Sequence, residues 1–442
     1  MATIPQVTAA MQTVLTTVAD TAARTTRFVQ RQSKLSGALF TQTLVFGFLA
    51  DREATRESLA QTASALGVDI SPQGLDQRMT QAAADCLEQV LQATAAIVLL
   101  AEKVAIPLLS RFTGVFIQDT TIIALPRTLA QIWRGGTNQH TKDTETAALK
   151  LGVRLDVAAG SLQGPTFDHG STSDRRSQIQ TEPIPAGALR MADLGFFDLG
   201  VLAEIGHADA FWLSRLQITT AVFKIDGTRV ELLALLEAAG SAVLDQEVLL
   251  GVQHQLRARL LAVRVAQEVA DVRRRRIRAE AKRRGRAPSA LSLALAEWTI
   301  LISNVPAERL SVEEALILAR TRWQIELFFK LWKSHGQIDC WRSGKPWAIL
   351  CELYAKVIAM IIQHWLFLVS CWAYPDRSLT KAVATIKKHA MCLATNLGDQ
   401  ERLAEAMGII ARCLASGCRI NKRKTTPHTY QLLLDLTEAA LG

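Results

Sequence analysis

The sequence predicts an α/β protein whose strand-bearing centre lies between two helical ends. Three observations carry that expectation. Long Ala/Leu/Gln/Thr stretches fill residues 1–105 and hold few strand signals. From Arg111 onward, short apolar runs end on aspartates and alternate with helical segments, the texture of an α/β domain. Residues 346–442 return to helical periodicity. At 442 residues the chain is too long for one ordinary domain. A prior of ~150 residues per domain gives about three. The divisions fall at 1–105, 106–345 and 346–442.

In the first segment, Ser58–Met79 has the pattern of a helix, a turn at Gly67 and a second helix. Ser71 caps the second helix and Pro72 takes its first position. The pattern fits a helix-turn-helix, and equally an αα-hairpin with no DNA role. In the centre, Gly114–Gln118 is a short apolar strand that ends on Asp119. Leu149–Val157 alternates as a longer strand, and Gly160 turns it into a hairpin partner, Ser161–Phe167. Leu189–Ala192 is a short strand ending on Asp193. A helix follows near Phe197–Ile205, then a strand at Phe211–Gln217. Residues 221–294 hold strand-like alternation at Glu247–Gln253 and Arg257–Val265, with an arginine run after it. Trp298–Ile302 resumes a buried strand, and 311–335 form one long helix.

Lys and Arg number 50 against 41 Asp and Glu, a net charge of +9. The excess is local: residues 251–290 carry twelve bases and three acids, while 1–110 carry eight bases and nine acids. Within 273–286 there are nine bases and one acid, so Arg273, Arg274, Arg275 and Arg276 are expected to meet an anionic backbone such as that of DNA. Hydrophobic residues make up 49% and charged residues 21%, which excludes a disordered or collagen-like chain. The seven cysteines are scattered without a C-x-x-C pair, so neither a disulfide framework nor a thiolate zinc site is indicated. The opening MATIPQVTAAMQ lacks the basic flank and apolar core of a signal peptide. A reducing cytoplasm is therefore expected. Val357–Trp372 is short for a membrane span and interrupted by Gln363 and His364, so a buried helix is expected there and no membrane partner. The sequence has no P-loop, no dinucleotide glycine fingerprint and no H-x-x-x-H metal pattern.

The chemistry concentrates on RWQIELFFKLWK, residues 322–333. At helical spacing Arg322, Glu326, Lys330 and Lys333 share one face, and Ile325, Phe328, Phe329 and Trp332 form the adjoining apolar stripe. An exposed helix with ordinary Glu–Lys pairs would read the same way. Asp119 and Asp193, each after a short apolar strand, add two more carboxylates. Magnesium prefers oxygen ligands and leaves positions open for water and phosphate oxygens. Two such ions ~3.5–4 Å apart serve both the attacking and the leaving oxygen of a phosphodiester.

The segment RWQIELFFKLWKSHG resembles the signature of bacterial insertion-sequence transposases of the DDE type, in particular the family marked by Tyr-(2)-Arg-(3)-Glu-(6)-Lys. Arg322, Glu326 and Lys333 match three of its four positions at the correct spacing. GVFIQDTT, LRMADLGFFDL and EWTILISNVP are similar to the family's first-Asp, second-Asp and pre-helix blocks, so the resemblance runs from about 110 to 370. It implies a ribonuclease-H-like catalytic core with a β-rich insertion between the second Asp and the Glu. The long interval from Asp193 to Glu326, holding the basic region at 221–294, agrees with that insertion. It also implies that Asp119, Asp193 and Glu326 hold Mg2+ or Mn2+, and that Arg322, Lys330 and Lys333 bind phosphates. Arg215 corresponds to a family arginine near the active site. Trp298 corresponds to a tryptophan that accommodates a flipped base in members that form a DNA hairpin. The signature tyrosine is Ala319 here, a departure that removes one phosphate ligand.

The resulting expectation is a DNA transposase that binds terminal inverted repeats of double-stranded DNA and cleaves at each element end. It would then join the 3′ ends to target DNA by cut-and-paste, as a homodimer contacting through 346–442. Two alternatives remain at this level: a non-catalytic DNA-binding protein, and a nuclease on the same core that never joins strands. The location implied is the bacterial cytoplasm, with the nucleoid.

Overall fold

The computed structural model describes residues 2–136, 146–420 and 431–433. Among these, ten strands form one mixed sheet: β1 (Val115–Leu125), β2 (Ala147–Asp156), β3 (Leu162–His169), β4 (Leu189–Ala192), β5 (Phe211–Arg215), β6 (Val222–Phe223), β7 (Arg229–Val230), β8 (Val243–Leu250), β9 (Leu256–Arg264) and β10 (Trp298–Ser303). Their order is β3-β2-β1-β4-β5-β10-β9-β8-β6-β7. β4 runs parallel to both β1 and β5. The other pairings are antiparallel. The mixed α/β class expected from the sequence is present.

The residues explain the pairing. β1 does not stop at Asp119 as its short apolar run suggests; TTIIAL continues it to Leu125, paired against β2 through Ile122↔Lys150 and Leu125↔Ala147. These β-branched residues suit a pleated, half-buried surface. Asp119 therefore lies inside a strand, whereas Asp193 follows the end of β4 as expected. The β2–β3 connection turns at Gly160, whose φ is +70°. A Cβ there would meet Trp372 at 2.7 Å and Leu368 at 2.6 Å, so both the left-handed backbone and the close packing require glycine.

Alternation sends successive side chains to opposite faces. Ile117, Met191, Leu213 and Leu301 enter the large core on one face. Phe116, Trp212, Trp298 and Ile302 enter a smaller core on the other. The large core is continuous with helices from both ends of the chain, through Val7, Leu44 and Leu87 and through Ile349, Tyr354 and Leu403. The central helix Pro346–Leu368 is long and apolar enough to cross a membrane by length and composition, but its apolar window is wholly buried among these neighbours.

The Ser58–Met79 pattern becomes helices Arg56–Ala65 and Pro72–Arg78. Ser71 accepts from the Gly74 N–H at 3.0 Å, the cap expected of it. The strands of the 221–294 region, β6 to β9, extend the same sheet beyond β10. The arginine run lies on a helix, Gln267–Arg283. Residues 311–335 are not one helix. They form Val312–Thr321 and Trp323–Gly336, broken at Arg322. The Thr321 hydroxyl donates to the Leu318 carbonyl at 2.6 Å, a local bond that competes with continuation of the helix.

Candidate active site

Asp119 and Asp193 are set by strand register. β1 and β4 are parallel with Gln118 opposite Ala192, so the next residues on each chain, Asp119 and Asp193, stand side by side. Asp119 shares the face of Ile117 and looks toward the large core and the helix Trp323–Gly336. It accepts a hydrogen bond from the Thr120 N–H at 2.8 Å. Burial pushes its carboxyl up to about 6. The Thr120 bond and the Arg322 cation oppose that rise, while the Asp193 and Glu326 charges add to it. Two strands and one helix thus bring three carboxylates and a guanidinium within electrostatic reach of one another.

The helix Trp323–Gly336 buries Ile325, Phe328, Phe329 and Trp332, the stripe expected from its sequence. Its polar side faces the strand: Arg322 Nη2 lies 2.7 Å from Glu326 Oε1, and Lys333 Nζ donates to the Ile122 carbonyl of β1 at 3.0 Å. Lys330 is exposed and borders a cleft of about 740 Å³ whose walls include Trp323, Leu327, Tyr374 and Arg377. Ala319 sits on the preceding helix, half-buried against the large core.

Among the described residues no group of three His, Cys, Asp or Glu side chains converges tightly enough to hold a metal ion. The donor chemistry of Asp119, Asp193 and Glu326 is nevertheless oxygen-only, which hard divalent cations take. Glu326 is engaged by Arg322. The mutual repulsion recorded at Asp119 is of the kind that a bound cation relieves.

Arg215 joins the same row. Met191 lies opposite Leu213, and Arg215 follows two residues further along β5 on the same face, as Asp193 does just past β4. Trp298 does not join it. The residue shares a face with Ile300 and Ile302, packs in the smaller core at 7% exposure, and has the Arg264 guanidinium 5.8 Å from its ring centre. The arginine run divides. Arg273 donates to the Trp298 carbonyl at 2.9 Å and to Thr299 Oγ1 at 2.8 Å. Arg274 bonds the Leu293 carbonyl and pairs with Asp271 and Glu297. Arg275 and Arg276 are exposed.

One arrangement was not foreseen from the sequence. Behind the carboxylates, on the opposite face, two buried arginines meet two glutamines. Arg154 donates to Gln118 Oε1 through both Nε and Nη2, at 3.1 and 2.9 Å, and to the carbonyls of Ile179, Glu182 and Pro183. Arg190 donates to Gln180 Oε1 at 2.5 Å, and Gln180 Nε2 donates to the Phe196 carbonyl at 3.1 Å. Burial holds both guanidiniums below the usual arginine range, Arg154 at about 10 and Arg190 at about 9. The lattice ties the neighbour of Asp119 to the short turn that follows Asp193. Its signal in the sequence was a charged residue at an inward position of two apolar strands, Arg154 in LKLGVRLDV and Arg190 in LRMA.

A carboxylate row on a mixed sheet, faced by a helix that carries a third carboxylate and cations, suits an enzyme that handles anionic substrates. Residues 110–362, more than half of the chain, match the family described as "Transposase DDE domain". The chain belongs to that family and is a DNA transposase, as the resemblance in its sequence implied. It is similar to the transposase for insertion sequence element IS231F of Bacillus thuringiensis subsp. israelensis, 25% identical over 94% of this chain and 91% of the relative. The IS231B transposase of Bacillus thuringiensis subsp. berliner is 26% identical over 76% of this chain and 74% of its own length. The transposase for IS1151 of Clostridium perfringens is 20% identical over 77% of this chain and 76% of its own length.

Proposed function

We propose that this transposase cleaves the phosphodiester at each end of its own insertion sequence and joins the freed 3′ ends to target DNA by cut-and-paste. The observation that carries the reading is the side-by-side register of Asp119 and Asp193 with Glu326 and Arg322 in electrostatic reach. The five strands in the order β3-β2-β1-β4-β5, with β4 and β5 parallel to β1, support a ribonuclease-H-like core. Residues 1–105 then recognise the terminal inverted repeats of double-stranded DNA, 106–345 carry the chemistry with the insertion at 221–294, and 346–442 join two copies into a homodimer. The reaction belongs in the bacterial cytoplasm, at the nucleoid.

Asp119, Asp193 and Glu326 would hold the Mg2+ or Mn2+ ions, which supply activation of the attacking oxygen and stabilisation of the leaving one. Ionised Asp119 is needed for that role, and Arg322 favours its ionised form. Arg322, Lys330, Lys333 and Arg215 bind phosphate oxygens and orient the scissile strand; charge-assisted bonds of this kind are the strong ones. The Gln118–Arg154–Arg190–Gln180 lattice holds the two aspartates in register from behind. Replacing Asp119, Asp193 or Glu326 by Ala should abolish Mg2+-dependent cleavage of transposon-end DNA and leave binding to that DNA largely intact. Near wild-type cleavage by any of the three variants would remove that residue from the metal site.

A further inference from the structure

We propose that Arg273, reaching in from the basic helix, and Arg215, at the end of β5, form a two-guanidinium seat for one backbone phosphate of the DNA beside the carboxylate row. The inference rests on the DNA-cleavage reading above and deepens it. It separates Arg273 from the rest of the arginine run.

The geometry follows from register. Leu301 of β10 lies opposite Arg215 of β5, so Thr299, two residues earlier on β10, faces the same side one step along the strand. Arg273 Nη2 donates to Thr299 Oγ1 at 2.8 Å, which brings its guanidinium over this face. Its Nη1 donates to the Trp298 and Ala296 carbonyls at 2.9 and 3.4 Å. Those bonds use three of the five guanidinium donors and leave the Nε–H and one Nη2–H free. None of its acceptors is a carboxylate. The exposed Arg215 guanidinium has no hydrogen-bond or ion-pair partner among the described residues. The two cations are close enough that Arg215 helps, after burial, to hold Arg273 below the usual arginine range.

Two adjacent guanidiniums with no ion-paired acid repel each other and present a fork of donors, which a phosphate both neutralises and fits. Met191 pairs with Leu213, and Asp193 and Arg215 each lie two residues further along on the same face, so the phosphate on this seat lies toward the carboxylate end of the sheet. A fastening role alone would explain why Arg273 bonds the backbone of β10. It would not explain why a second, unpartnered arginine is set beside it.

The test uses the full chain and a duplex taken from the DNA flanking its gene, carrying the terminal repeat. Single backbone phosphates near the cleavage point are replaced one at a time by uncharged methylphosphonates, and single-turnover cleavage is measured in Mg2+. In the wild type, neutralising the seat phosphate should slow cleavage about tenfold, the scale of one lost charge-assisted bond. In Arg215→Gln, which disturbs no internal contact, and in Arg273→Gln, the same replacement should cost less than twofold. Other phosphates should keep their full effect. Arg275→Gln, which lies outside the seat, should leave the effect of neutralising the seat phosphate in place. If every sensitive phosphate keeps its full effect in both the Arg215 and Arg273 variants, the seat is wrong. A wild type that fails to cleave the unmodified duplex would instead sink the cleavage reading.

Discussion

The Arg322 guanidinium donates to the Glu326 carboxylate across 2.7 Å, one helical turn further along the same face. Arg322 is also the cation that resists the rise of the Asp119 carboxyl. One side chain therefore holds the helix carboxylate and moderates the Asp119 carboxylate at once. An exposed pair at this spacing stabilises a helix by only ~0.3–0.5 kcal/mol, so its value here lies in charge balance within the site.

Arg322→Gln should unfold at nearly the wild-type denaturant midpoint. Without DNA, the variant should bind Mn2+ severalfold more tightly, because a competing cation is gone. Its single-turnover cleavage should nevertheless fall about tenfold or more through loss of the phosphate contact proposed for it. Electron paramagnetic resonance titration with Mn2+ separates these effects. Weaker Mn2+ binding in the variant would mean that Arg322 orders the carboxylates and does not compete for them.

The arginine run should act as two groups. Arg275 and Arg276 face solvent, whereas Arg274 is spent on Asp271, Glu297 and the Leu293 carbonyl. Each phosphate contact contributes roughly −0.9 to the slope of log affinity against log salt on duplex DNA. Neutralising Arg275 and Arg276 together should flatten that slope by roughly 1.8 for any duplex sequence. Arg274→Gln should lower thermal stability and leave the slope nearly unchanged. An unaltered slope in the Arg275/Arg276 double variant would return those residues to a solvated face.

These divisions show what a linear reading reaches and where it stops. The stripe Ile325, Phe328, Phe329 and Trp332 is a periodic signal, and the structure buries all four. β4 occupies the four residues that its apolar run marks, because the acid beyond it does end the strand. The same rule failed at Asp119, where a partner strand supplies pairing that carries β1 through the acid to Leu125. The helix break at Arg322 has no glycine or proline to announce it; a threonine hydroxyl bonds back to the Leu318 carbonyl just before it. Gln118, Arg154, Gln180 and Arg190 meet only after four separate segments have been placed, so no local pattern could reveal their lattice. The face that Trp298 takes likewise depends on pairing with β5 and β9.

Ala319 lies three residues before Arg322 and stands where the related signature has tyrosine. Alanine offers no donor to the phosphate proposed for Arg322 and Lys333. Ala319→Tyr should raise single-turnover end cleavage about tenfold, with little change in DNA affinity, if a hydroxyl bond to that phosphate forms chiefly in the transition state. An equal or slower rate in a folded variant would show that the phosphate is already fully served by the cations.

His364 is buried on the central helix, with Nε2 2.7 Å from the Gly160 carbonyl and Nδ1 without a partner. Its ring is enclosed by Phe328, Phe367 and Trp372. Burial pulls its pKa from 6.5 down to about 4, the Gly160 bond opposing that only in part. The unfolded chain therefore takes up a proton near pH 6.5, while the folded chain resists until about pH 4. Between those values the unfolded state binds more protons, so stability falls as pH falls, by roughly 3 kcal/mol in all. The full contribution is present above pH 6.5. His364→Gln keeps a donor for Gly160 and cannot ionise, so it should lose that much less stability between pH 7 and pH 4. Urea denaturation across this range decides the point. Parallel pH curves for the two proteins would mean that the imidazole is charged, or hydrated, inside the fold.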